Sequence, residues 1–409
     1  MQHTPEAVEE AAVIAVLPVS RWRLVPFVGF QLLSFGQFTS SIWILWLAHR
    51  GFSLGEIGLA ESCYHLGRVA LTVPTGAFAD AFGRKWSLVA SSLVLAVATA
   101  LTWWSPSLLV VFIALFLDGG AAAFRLGADQ AYLFDALNAE SRGNRFARIL
   151  GAVLSVSYLG AAAMAWVGAW LSDFTYAWPF ALSLGTAVVA GGFAAFLPEP
   201  PRTAHERTAR GLTRLIADGV RVVRGQPALL RLIVFSSAFW TANTLGSLYM
   251  QSVLKQRGFS NGAVGFALGV AAVLSALAVF GGGRLPHWWQ SWRAFTLFAT
   301  VVGVSVALQG TPVIALILAA LLTREVAVGL IEPLIANRLN EETPSAVRAT
   351  VLSLSEMGFS LGMIPLFPLI GWLSDRNGWG VAFGTVALGL AAVVVAVRGS
   401  EWRATRSRV

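Results

Sequence analysis

Gly76-Ala77-Phe78-Ala79-Asp80-Ala81-Phe82-Gly83-Arg84-Lys85, with Pro74 just upstream, is the stretch that decides the fold. It lies between two long apolar runs, 57–79 and 86–104, and must turn one helix sharply into the next. Gly76 and Gly83 are expected to permit close backbone approach at that turn. Asp80 is an anion at the end of an apolar segment, suited to the positive N-terminus of a neighbouring helix. Arg84 and Lys85 hold the turn on the side of a membrane that retains basic residues.

The rest of the chain has the same character. Of 409 residues 56% are apolar and only 12% are charged, and mean hydropathy is +0.69. A soluble domain is roughly a quarter charged, so this chain could not cover itself in water. A cytosolic enzyme, a disulfide scaffold and a disordered chain are all excluded, and the single Cys63 cannot pair within the chain. Spans are read at 24–47, 57–79, 86–104, 107–135, 148–171, 177–197, 229–253, 264–282, 294–309, 312–337, 347–373 and 379–397. Each holds about the 20 residues that a helix needs to cross a bilayer. Barrel strands would alternate apolar and polar residues, and these runs do not. The reading is an all-α polytopic membrane protein with 12 transmembrane helices.

Net charge is +8, which in a soluble protein would suggest nucleic acid. Here it follows topology. With the N-terminus inside, Arg50, Lys255, Arg257 and Arg376 are the four outer cations among 29, and Arg68, Arg125 and Arg324 lie within spans. The other 22 fall inside, as the positive-inside rule requires. Both termini are therefore expected in the cytoplasm and no nucleic-acid partner is expected. Glu6, Glu9 and Glu10 in place of a basic start argue against a cleavable signal peptide.

The chain also repeats. Gly51-Phe52-Ser53-Leu54-Gly55-Glu56-Ile57-Gly58 recurs as Gly258-Phe259-Ser260-Asn261-Gly262-Ala263-Val264-Gly265, 207 residues on. Leu137-Asn138-Ala139-Glu140-Ser141 recurs as Leu339-Asn340-Glu341-Glu342-Thr343 at an offset of 202. Trp170-Leu171-Ser172-Asp173 recurs as Trp372-Leu373-Ser374-Asp375, again at 202. Three ordered matches imply two homologous six-helix halves, 1–197 and 229–409, joined by 198–228. Repeats of this type mark transporters that rock about a central site. In the joining segment Leu212, Leu215, Ile216, Val220 and Val223 recur at helical spacing, as an amphipathic surface helix or a solvated one would have them.

The 76–85 pattern resembles motif A of the major facilitator superfamily, G-x-x-x-D-x-x-G-R-[KR]. Spans, halves, central loop and charge placement extend the resemblance over the whole chain. It implies that Gly76, Asp80, Gly83, Arg84 and Lys85 form a gating motif, with Asp80 locking the cytoplasmic side against helix eleven. It also implies that helices one, four, seven and ten line the cavity. The second half has lost its copy, since Gly283 is followed by Arg284-Leu285-Pro286-His287 with no Asp. In helix five Gly151, Gly160 and Gly168 match the spacing of a drug-antiporter series, but Met164-Ala165 stands where Gly-Pro is expected.

Charged residues inside a bilayer face a cavity or a partner. Glu61, His65 and Arg68 share one face of helix two. Asp118, Arg125 and Asp129 are spaced to share one face of helix four. Arg324, Glu325 and Glu332 lie on helix ten and Glu356 on helix eleven. Glu332 and Glu356 have similar depth and, if their faces meet, would share a proton. The helix-four and helix-ten groups with Glu356 are the candidates for coupling protons to substrate. The alternative is static pairing, of Arg68 with Glu61 or His65 and of Arg125 with Asp129. Gln31, Phe35, Gln37, Phe38, Phe239, Trp240, Asn243 and Tyr249 are candidate cavity lining for an amphiphilic molecule. No metal-ligand set, nucleophile triad or phosphate loop is found, so neither cofactor nor enzyme activity is expected.

Three functions fit these residues. The first is a monomeric proton-coupled antiporter for efflux of a small amphiphilic compound from a bacterial inner membrane. The second is a proton-coupled importer of a polar or anionic metabolite, bound by Arg68, Arg125 and Arg324. The third is a non-transporting sensor or lipid scramblase on the same fold.

Overall fold

A computed structural model describes residues 21–138, 146–199, 220–344 and 348–406. Every regular element among them is helical. Among the described residues ten helices are long and apolar enough to cross a membrane. They are the third to twelfth spans: α3 (Arg84–Trp104), α4 (Leu108–Leu137), α5 (Phe146–Ser172), α6 (Ala177–Ala195), α7 (Pro227–Gln256), α8 (Asn261–Gly282), α9 (Trp292–Gln309), α10 (Ile314–Glu342), α11 (Arg348–Asn377) and α12 (Trp379–Arg406).

The first two spans depart from simple apolar helices for physical reasons. Span one is broken into α1a (Arg21–Phe35) and α1b (Trp43–His49). The backbone turns between them, with Ile42 N and Trp43 N both donating to the Thr39 carbonyl. Gly36 stands at the break because a Cβ there would lie 2.8 Å from Ala161 Cα on α5. Span two, α2 (Leu54–Phe82), is a single 29-residue helix carrying Glu56, Glu61, Arg68 and Asp80. With these two, the described residues account for the twelve helices expected from the sequence.

Two other spans are interrupted. Span four divides into α4a (Leu108–Arg125) and α4b (Ala128–Asn138) at Gly127, whose φ is +77°. Only glycine adopts that backbone freely. Span seven divides into α7a (Pro227–Leu248) and α7b (Met250–Gln256). The expected helix at 212–223 falls largely on 200–219, outside the described residues.

Large apolar side chains such as Leu388, Val395, Leu277 and Phe280 are exposed on the outside of the bundle. In water these would be an aggregation surface; in a bilayer they meet lipid. Burial from water then cannot drive helix association, and close packing of small residues does it instead. The two halves touch along α2 with α11 and along α5 with α8, both through glycine.

Candidate functional site

Two glycines press α2 onto α4a. A Cβ on Gly67 would sit 2.2 Å from the Phe116 carbonyl oxygen, and one on Gly119 2.0 Å from that of Tyr64. The helices touch backbone to backbone, so Glu61 and Tyr64 of α2 and Asp118 of α4a face one cavity of about 320 Å³. Ser34, Phe35, Gln37, Thr39 and Trp43 of the broken first span line it, with Phe180 of α6 and Leu248 of α7a. Ser91, Thr99 and Thr102 of α3 add hydroxyls, and Arg125 adds a guanidinium to the lining. The cavity therefore belongs mainly to the N-terminal half.

The break at Gly127 overturns the shared face expected for helix four. Asp118 looks into the cavity, whereas Asp129 turns to α1a and accepts from Gln31 Nε2 at 3.1 Å. Gln31 is thereby a buried partner of Asp129. Arg125 does not pair with Asp129. It donates to the Ser34 carbonyl at 2.7 Å and lies 5.2 Å from the Phe35 ring centre. That carbonyl is one of the last of α1a, which has no intrahelical partner.

Helix two is also partnered differently from expectation. His65 Nε2 lies 3.6 Å from Glu61, but Arg68 reaches the other half and pairs with Glu356 at 3.0 Å. Glu356 thus faces Arg68 rather than Glu332. Glu332 is exposed on α10. Arg324 is fully buried, pairs with its neighbour Glu325 at 2.7 Å and donates to the Asn243 carbonyl at 2.7 Å. Arg324 holds α7a to α10 as Arg125 holds α1a to α4a.

Of the second-half lining candidates, Phe239 and Tyr249 are packed in the protein interior, and Trp240 and Asn243 are half-buried. Phe239 is fully buried among Phe235 and Trp240. Tyr249 stacks on Phe367 at 4.4 Å and donates to its carbonyl at 2.8 Å. Of the first-half set Phe35 lines the cavity, while Phe38 presents its carbonyl to Gly168, where a Cβ would lie 1.8 Å away. Gly160 likewise fits Leu32, so two of the helix-five glycines pack against span one.

In the 76–85 turn, Gly83 has φ +106° and a Cβ there would lie 2.4 Å from Glu199 Oε1. That oxygen accepts from Arg84 N at 3.0 Å and so caps α3. The Arg84 guanidinium pairs with Asp135 of α4b. Lys85 Nζ lies 5.5 Å from the Trp86 ring centre. Gly76 has nothing within 4 Å of where a Cβ would sit, so no close approach requires it, contrary to expectation. Asp80 is exposed, and residues 345–347, where it is expected to meet helix eleven, lie outside the described residues.

The family model described as Major Facilitator Superfamily matches residues 27–364. The chain belongs to the Major Facilitator Superfamily. It is a multi-pass membrane transporter and not an enzyme. The uncharacterized MFS-type transporter YxaM of Bacillus subtilis (strain 168) is 21% identical over 380 residues, covering 89% of this chain and 91% of that protein. The multidrug resistance protein MdtH of Aeromonas salmonicida (strain A449) is 22% identical over 352 residues, covering 84% and 85%. A mutant form of the nucleoside transporter NupG superposes with a TM-score of 0.76 at 14% identity, over 92% of this chain and 98% of that one. A D-xylose-proton symporter superposes with a TM-score of 0.66 at 15% identity, over 91% and 96%. These two structures share the fold.

Within this superfamily chain, the α3 hydroxyls, Tyr64 and Trp43 are site residues that sequence reasoning missed. A signal existed for α3. Ser87, Ser91, Thr99 and Thr102 recur on one helical face, and Ser87 and Ser91 donate to the Phe124 and Ala121 carbonyls of α4a at 2.7 and 2.8 Å. A hydroxyl stripe facing backbone glues helices in lipid.

Proposed function

We propose that the protein is a monomeric proton-coupled antiporter that exports a small amphiphilic organic compound from a bacterial inner membrane by alternating access. The halves 1–197 and 229–409 move about the cavity, with 198–228 linking them and the Arg84 end in the cytoplasm. The observation that carries this reading is Glu61 and Asp118 facing one small cavity with Phe35, Trp43, Phe180 and Tyr64. Two carboxylates on one cavity give a place where a proton and a substrate compete. The rings and hydroxyls suit a molecule that is part apolar and part polar. The name of one relative, a multidrug resistance protein, supports export. Import of an anion has less to stand on, because Arg68 and Arg324 are both in ion pairs and only Arg125 remains at the cavity. Asp80 remains the proposed gating acid of the cytoplasmic side.

The test is flux in proteoliposomes. With an imposed pH gradient, ethidium is expected to move against the proton gradient and to carry protons the other way. Flux that ignores the gradient, or that is absent for a range of amphiphilic dyes, would overturn this reading.

A further inference from the structure

The repeats that mark the two halves meet each other in space, and the cavity does not use them. Asp173, at the end of α5, reaches into the other half. Its two carboxylate oxygens accept from the first two backbone N–H groups of α8, Asn261 N at 2.7 Å and Gly262 N at 2.8 Å. Asp375, its counterpart at the end of α11, reaches back. It accepts from the first two N–H groups of α2, Leu54 N at 3.3 Å and Gly55 N at 2.9 Å. Exchanging the halves exchanges the two contacts.

The local sequence builds both. Ser53 and Ser260 are N-caps whose hydroxyls accept from Glu56 N at 3.2 Å and Ala263 N at 3.1 Å. Each serine satisfies the third orphan donor of its helix, and the aspartate of the other half satisfies the first two. A carboxylate gains there from both the helix dipole and charge-assisted hydrogen bonds. Beside each contact the backbones close up. A Cβ on Gly58 would lie 2.5 Å from Pro368 Cα, and one on Gly265 2.3 Å from Ala169 Cβ. The repeated glycines, serines and aspartates are thus the parts of one seam.

We propose that Asp173 and Asp375 are reciprocal latches. Each half clips its aspartate onto a helix N-terminus of the other, together they hold the Ser53 end closed, and both release when that end opens. Both aspartates are exposed, so water replaces the lost contacts on opening and the latch breaks reversibly. The inference rests on the alternating-access reading for its role, but the latch itself is a statement about conformation.

The test measures distance and flux on the same preparations. Spin labels on Thr175→Cys and Lys255→Cys, in a Cys63→Ser background, report the separation of the halves at this end. Asp173→Asn and Asp375→Asn are each expected to raise the open population by roughly five-fold. The double variant is expected to show the product of the two, as independent contacts do. An unchanged distance distribution in the folded double variant overturns the latch, even where transport persists. An opened distribution without any transport in the parent protein upholds the latch and overturns the transport reading. If the asparagine variants do not fold, Asn261→Pro serves. Proline is tolerated at the first helical position and removes one donor to Asp173; Asn261→Ala, which loses only the side-chain bonds to Ser172 and Tyr176, is the control against which its opening is read. The proline variant must also open, and an unchanged distribution in it overturns the proposal.

Discussion

Arg68 on α2 and Glu356 on α11 form a 3.0 Å ion pair that joins the two halves across 288 positions of sequence. The Glu356 side chain is 60% exposed, so the pair is not sealed in the packed core and is worth no more than about 1 kcal/mol of stability. Its position matters more than its strength, because in the proposed alternating-access cycle the halves separate or slide there.

Neutralising Glu356 is therefore expected to move the unfolding midpoint by only about 1–2 °C while changing transport rate several-fold. The charge-swapped pair, Arg68→Glu with Glu356→Arg, is expected to recover most of the rate. Thermal unfolding and flux on the purified variants check both. A large loss of stability in Glu356→Gln, or a swap no better than either single change, would count against a role in motion.

Asp129 offers a second prediction, because its partner is Gln31 and not Arg125. A double-mutant cycle of Gln31→Leu and Asp129→Asn is expected to give a coupling of about 0.5–3 kcal/mol, as contacting polar groups do. The cycle of Arg125→Gln with Asp129→Asn is expected to give a smaller one. Denaturant unfolding in detergent measures both. The reverse order would mean that Arg125 and Asp129 pair after all.

The same residues explain what the sequence could and could not say. The spans, the halves and the 76–85 turn were readable because each is a local pattern of apolar length, charge or spacing. The face of Asp129 was not. Its reading assumed a continuous helix, and the single Gly127 at φ +77° rotates everything after it. The partner of Arg68 was not readable either, since no spacing along α2 can report a carboxylate on α11. Tyr249 and Phe239 look like cavity aromatics by composition, and only packing distinguishes a ring in a seam from a ring on a cavity wall. The repeats did carry a site, but their contact is between unlike segments, which similarity between like segments does not show.

The glycines of the 76–85 turn supply a third prediction. Gly83→Ala is expected to destabilise by about 1–3 kcal/mol, because a side chain at φ +106° is strained and its Cβ displaces the Glu199 carboxylate that caps α3. Gly76→Ala, with open space around it and a helical backbone, is expected to be neutral or stabilising by up to about 1 kcal/mol. Unfolding midpoints separate the two. Equal effects would mean that the turn is not held as described.

The last prediction sorts the intramembrane charges by what each removal should break. Glu325 is the partner of the fully buried Arg324, so Glu325→Gln strands a buried cation. Breaking such a pair costs about 3–5 kcal/mol, and loss of folded protein is expected. Asp118 is different. It lines the cavity beside Glu61 and Arg125, and among the described residues no ion pair within 4 Å holds it. Asp118→Asn is nearly the same size, so the protein is expected to fold and to bind substrate. What it cannot do is release a proton at that position. Gradient-driven flux is expected to fall by about 100-fold or more, the range of effect for a lost proton-transfer group, while counterflow, which needs only binding and exchange of substrate, persists. Glu61→Gln is expected to change the pH dependence of flux in the same direction, since both carboxylates face one cavity. Asp129→Asn is expected to leave that pH dependence unchanged, because Gln31 holds Asp129 away from the cavity. The measurements are gradient-driven flux and counterflow in proteoliposomes across a range of external pH. Retention of normal gradient-driven flux by both Asp118→Asn and Glu61→Gln would remove the cavity carboxylates from the coupling mechanism. Loss of counterflow together with driven flux would instead make Asp118 a substrate ligand whose proton plays no part.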